Sequence, residues 1–141
     1  MKKGRFGIIV VPFMEILIKM RRILVVDDNE DILEVIKLIL EDYDYDVVTL
    51  ADGTLLFDKV HDSHPDLILL DVMLGKVDGR DLCRDIKTRP ETKEIPVILI
   101  SASHYVQERY ALNGAAPDDF LAKPFNINDL LEKVQAHTVA A

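Results

Sequence analysis

The 141-residue chain carries a single cysteine, Cys83, so an internal disulfide is excluded and a reducing, cytoplasmic setting is expected. Cys83 falls inside a helical pattern, where a small buried residue is the simplest reading. No apolar run reaches the ~20 residues that a membrane-spanning helix needs. The nearest, Phe6 to Ile18, is broken by Pro12 and Glu15, and no small-residue cleavage site follows it. No basic stripe appears after Arg22, which argues against direct contact with nucleic acid. His61, His64, His104 and His137 are dispersed without metal-ligand spacing and read as surface or rim residues. The acidic stretch Glu41 to Asp46 lacks the spacing and glycine of a calcium loop and reads as a solvated turn.

What is present is an acidic, globular composition with an uneven charge distribution. The net charge is -8, with 49% apolar and 30% charged residues. Through Arg22 there are six basic residues and one acid, Glu15, a charge of +5, so the remainder carries -13. Regular patterning begins only at Arg21. Residues 1–20 therefore read as an extension, non-native or mis-started (Met14 and Met20 are alternative starts), and 21–141 as one domain.

From Arg21 the sequence alternates between two kinds of segment. Short apolar runs rich in β-branched residues, "RILVV", "DVVTL" (46–50), "PDLILL" (65–70), "IPVILI" (95–100) and "DFLA" (119–122), predict five strands. Between and after them, helical spacing predicts helices over 29–43 with Asn29 as cap, 53–61, 78–87, 103–113 with Gly114 as a stop, and 126–137 capped by Asn126. A fivefold βα rhythm predicts an α/β, flavodoxin-like (βα)5 three-layer sandwich with a parallel sheet of order 2-1-3-4-5.

Four of the five strands end in residues with chemistry: Asp27 and Asp28, Asp71, Ser101, and Lys123. In a parallel sheet these ends share one edge, the edge where open α/β sheets place ligands. A lone Asp after a strand is usually a cap or turn former. Convergence of complementary charges is a different matter. Three close carboxylates cannot all stay ionised without a cation, and oxygen-only ligation selects a hard ion, Mg²⁺ before Ca²⁺. Asp27 and Asp28 would hold the ion, and Asp71 would be both ligand and nucleophile. Lys123 would be the second cation on a transferring phosphoryl group, with Ser101 donating a hydroxyl hydrogen bond.

At these residues the chain resembles the response-regulator receiver family, the CheY-like phosphoacceptor domains of two-component signalling, over about Arg21 to Val139. The acidic pair matches Asp27 and Asp28, the phosphoacceptor in "LILLDVML" matches Asp71, the hydroxyl-Ala pair matches Ser101 and Ala102, and "LAKPF" holds Lys123 and Pro124. The resemblance implies a metal contact from the Met73 backbone carbonyl, a cis peptide before Pro124, and Phe120 as a switch aromatic. It also implies Mg²⁺, with Mn²⁺ as a substitute, and a sensor histidine kinase or histidine phosphotransfer protein as donor to Asp71. Output is implied to pass through a face built from the fourth helix, fifth strand and fifth helix to an unidentified protein target, the domain acting as a stand-alone receiver. Met73 and Ser103 stand at positions that tune hydrolysis in this family. The loop "DVMLGKVDG" departs from the family pattern, with Gly75 in place of proline, and is expected to be looser.

Three other readings compete. A Mg²⁺-dependent phosphohydrolase of the dehalogenase-like type needs Asp-x-Asp after the first strand, which "DDNE" does not supply. A nucleotide or flavin binder needs a glycine- and hydroxyl-rich phosphate loop there, and two carboxylates would repel phosphate. A phosphorylation-independent binding module keeps the fold without the switch, and the full set of five site residues argues against it. The reading is thus a binding module and not an enzyme, beyond self-catalysed phosphorylation and dephosphorylation.

Overall fold

A computed structural model of the protein describes residues 20–102 and 116–138. The extension through residue 19 and the helix expected over 103–113, with Ser103, His104 and Gly114, lie outside the described residues.

The strand β1 (Arg22–Val26) is apolar on both faces, and Ile23 to Val26 are fully buried. Helix α1 (Glu30–Asp42) starts where Asn29 Oδ1 accepts from the N–H groups of Asp31 at 3.0 Å and Ile32 at 3.3 Å. Leu33, Ile36 and Leu40 form its buried stripe, each contributing roughly 1.5–3 kcal/mol of burial. The left-handed Asp44 (φ 67°) turns the chain into β2 (Asp46–Leu50). The second helix begins differently from expectation. Asp52 Oδ1 takes the Thr54 N–H at 2.9 Å, so Gly53–Leu55 forms a tight 3₁₀ turn, and α2 proper is Leu56–Ser63.

β3 (Leu67–Asp71) and β6 (Val97–Ser101) each begin two residues later than their apolar runs, because Pro65 and Pro96 cannot donate to a ladder. Between them lies a feature absent from the sequence reading. Met73–Leu74 (β4) and Val77–Asp78 (β5) pair antiparallel around a two-residue turn, Gly75-Lys76, with Gly75 at φ 66°. The loop expected to be loose is a closed hairpin, and proline, locked near φ -65°, cannot occupy Gly75 in it. Helix α3 (Gly79–Thr88) follows at once, capped by Asp78. The chain then reaches β7 (Asp119–Ala122) and α4 (Ile127–Thr138), where Asn126 Oδ1 accepts from Asp129 N–H at 2.8 Å.

The five long strands form one parallel sheet of order β2-β1-β3-β6-β7, which is 2-1-3-4-5 among the parallel strands. Strand alternation divides the core between two layers. Ile23 and Val25 face α1 and α4, packing with Ile36, Leu40 and Leu130. Leu24 and Val26 face α2 and α3, packing with Leu56, Cys83 and Ile86. No described helix is long and apolar enough to cross a membrane.

Candidate functional site

Strand register assembles the site. Val26 pairs with Leu70, so the next residues, Asp27 and Asp71, leave neighbouring strands at the same level. Ser101 pairs with Ala122, which sets Lys123 one step beyond the end of the neighbouring strand. Oxygens of Asp27, Asp28 and Asp71 all lie within 4.8 Å of one another. Asp27 and Asp71 are buried, whereas Asp28 is exposed and opens the cluster to solvent.

Each buried carboxylate is held on two sides. Asp27 Oδ1 accepts the Asn29 N–H at 2.9 Å, and Asp71 Oδ1 accepts the Met73 N–H at 3.1 Å. Lys123 Nζ donates to the other oxygens, to Asp71 Oδ2 at 2.9 Å and Asp27 Oδ2 at 3.2 Å. Burial pushes the Asp27 carboxyl above its usual range, and the Asp71 charge adds to that, against the Asn29 N–H and Lys123, which pull it down. Burial alone would lower Lys123, but its bonds to Asp71 and the charges of both aspartates outweigh it and hold the ammonium above its ordinary value. Two buried acids and one ammonium leave a net negative charge, with the third acid beside it. All the donors are hard oxygens, so the set suits Mg²⁺.

The remaining expected residues sit around this centre. Ser101 ends β6 half-buried, its carbonyl accepting the Lys123 N–H at 2.9 Å. Ala102 is exposed next to it. Met73 presents its backbone to Asp71, and the residue as a whole is 75% exposed. The Lys123-Pro124 peptide is cis. Phe120 is half-buried and packs toward the layer of α2 and α3. Beside Lys123 opens an apolar groove of about 570 Å³, bounded by Ile32 and Val35 of α1 and by Pro124 and Phe125. Of the histidines, His61 and His64 are exposed, and His137 is half-buried with Nε2 2.9 Å from Asp119 Oδ2.

Sequence reasoning missed one positional requirement. A Cβ on Gly79 would lie 2.1 Å from the Asp71 carbonyl oxygen and 2.8 Å from Val72 Cα. Gly79 N–H also donates to the Val72 carbonyl at 2.8 Å. The start of α3 is thus pressed onto the backbone of Asp71, and only glycine fits. The "DG" pair signalled the helix start but not this approach.

A parallel five-stranded sheet with three clustered carboxylates and a lysine at its carboxyl edge defines a class of α/β domain with a hard-cation site at the edge where open sheets place their ligands. The family model of the response regulator receiver domain matches residues 23–135, and the chain belongs to that family. Among curated relatives, the chain is 36% identical over 117 residues to the DNA-binding dual master transcriptional regulator RpaA of Synechocystis, covering 83% of this chain and 48% of that protein. It is 35% identical over 115 residues to response regulator MprA of a Mycobacterium, covering 82% and 49%. The chain thus spans about half the length of the curated relatives it matches. Among solved structures, chemotaxis protein CheY4 of Vibrio cholerae superposes with a TM-score of 0.77 at 25% identity, covering 84% of this chain and 99% of that one. The receiver domain of sensor histidine kinase PA1611 from Pseudomonas aeruginosa, solved with a magnesium ion in its active-site cleft, gives 0.74 at 29% identity, covering 85% and 98%.

Proposed function

We propose that this receiver takes a phosphoryl group from a phosphohistidine donor, a sensor histidine kinase or a histidine phosphotransfer protein, onto Asp71 in the presence of Mg²⁺. The observation that carries the reading is the placement of Asp71. It is a buried carboxylate with a lysine 2.9 Å from one oxygen and two further acids within 4.8 Å. An Asp71 oxygen attacks phosphorus, the N–P bond breaks, and its electron pair leaves with the donor's imidazole. Asp27, Asp28 and Asp71, with the Met73 carbonyl, would hold the ion, which when bound neutralises charge on the transferring group. Lys123 keeps its bond to Asp27 while compensating charge at Asp71, and the Ser101 hydroxyl is the donor for a phosphoryl oxygen. Hydrolysis by water returns Asp71 and releases inorganic phosphate, so no separate substrate is turned over.

Phosphorylation would then move Ser101 and Phe120 and alter the surface that includes β7 and α4, changing affinity for a protein partner. DNA contact is not part of the proposal for this domain, whose sequence after Arg22 carries -13. A cytoplasmic setting fits the lone buried Cys83. The test is intact mass after incubation with acetyl phosphate and Mg²⁺, with Asp71→Asn and a metal-chelated sample alongside. One phosphoryl adduct on the parent alone, only with metal, supports the reading. Absence of an adduct together with failure to bind beryllium fluoride transfers the domain to a phosphorylation-independent binding role.

A further inference from the structure

The sequence reading placed His61 and His64 as scattered surface residues, but the fold pairs them. His61 lies in the last turn of α2 and His64 is its C-cap, in the left-handed conformation at φ 49°. That turn brings the two imidazoles to a centroid separation of 6.3 Å with planes 43° apart. Both border a cavity of about 430 Å³ that also includes Glu91. The cavity lies at the opposite edge of the sheet from the carboxylates, since His64 precedes β3 and Asp71 ends it.

We propose that His61 and His64 form a second metal site, for a borderline divalent ion such as Zn²⁺ or Ni²⁺, separate from the oxygen-only centre at Asp71. Imidazole suits Zn²⁺, Ni²⁺ and Cu²⁺, whereas carboxylates alone suit Mg²⁺. Two imidazoles on one tetrahedral ion, at a bond length of roughly 2.0–2.1 Å, have centroids about 5 Å apart. Closing from 6.3 Å takes only side-chain rotation, and both histidines are exposed. Asp62 Oδ1 is 3.5 Å from His61 Nδ1, on the side that favours the Nδ1–H tautomer and leaves Nε2 for the ion. The carbonyl end of α2 favours positive charge. Glu91 lines the same cavity without joining the two imidazoles in a three-ligand cluster, so water would complete the set. Arg89, the opposing charge in the cavity, stacks over Phe57 at 3.7 Å from the ring centre.

The test is a Zn²⁺ titration of the ¹⁵N-labelled full chain at about pH 7.5, where free imidazoles are mostly neutral. Excess Mg²⁺ is present, and imidazole ¹⁵N resonances are the readout. The expected result is that one equivalent shifts His61 and His64 together and leaves His137 unmoved. His61→Ala, or His64→Asn, which tolerates the left-handed cap, then weakens binding about tenfold or more. Absence of a shift, a shift of one ring alone, or single variants that bind like the parent would overturn the site. The histidines would then be exposed side chains at a helix end and nothing more. Loss of Asp71 phosphorylation would leave this result untouched, so the two proposals fail separately.

Discussion

Replacing Lys123 with methionine preserves the length and apolar stem of the side chain and removes only the ammonium. In the metal-free protein this leaves Asp27 and Asp71, at 1% and 3% exposure, facing each other without a cation. Breaking a buried ion pair by removing one partner costs ~3–5 kcal/mol. The Lys123 side chain keeps 24% exposure. The exposed Asp28 also admits water, so the low end, about 3 kcal/mol, applies here. For a domain of this size that lowers the melting temperature by roughly 10–15 °C.

Two further readouts separate this cause from ordinary loss of packing. As pH falls and the Asp27 carboxyl, raised by burial, takes up its proton, the repulsion disappears, and variant and parent converge. Mg²⁺ replaces the missing charge, so it stabilises the variant more than the parent; at one hundred times its dissociation constant a ligand contributes about 2.7 kcal/mol. Melting curves of both proteins, with chelator and with Mg²⁺, from acid to neutral pH, decide it. A penalty below about 1 kcal/mol without metal, or equal Mg²⁺ stabilisation of both proteins, would refute the reasoning.

Other perturbations follow from the same geometry. A carboxyl raised on folding, as burial raises Asp27, contributes stability that is complete below its unfolded value of about 3.9 and is lost as pH rises through its folded value. Metal-free Asp27→Asn should therefore lose less stability than the parent between acid and neutral pH; a steeper loss refutes this. Gly79→Ala should cost about 3 kcal/mol in urea unfolding and slow Asp71 phosphorylation, because the added methyl meets backbone that cannot step aside. Gly75→Asn should be nearly neutral while Gly75→Pro breaks the hairpin, and equal stability of the two would show that the left-handed turn is dispensable. Cys83, buried with its thiol pushed up to about 12, should react with a thiol reagent only on unfolding; rapid labelling of the native protein would contradict its burial.

What could be read from the sequence depended on the range of the interaction involved. Strands buried on both faces need continuous apolar runs, and helices need a stripe and a cap, so "RILVV" and Asn29 to Leu40 carried their own assignment. The site residues were legible because a parallel sheet brings strand ends to one edge whatever the loops do. The hairpin was not, because strands of two residues have no period, and Gly75 read as lost restraint when its function is a positive φ. Nor was the pairing of His61 with His64, which needs the left-handed cap between α2 and Pro65. Gly79 is the sharpest case. Its neighbour is the carbonyl of Asp71, eight positions earlier, and that contact exists only after the hairpin has folded the chain back on itself. A loop fixed by glycine at both its turn and its return holds the Asp71 backbone more tightly than its composition suggests. That is why the substitution at Gly79, which removes no charge and no hydrogen-bonding group, is expected to reach the chemistry.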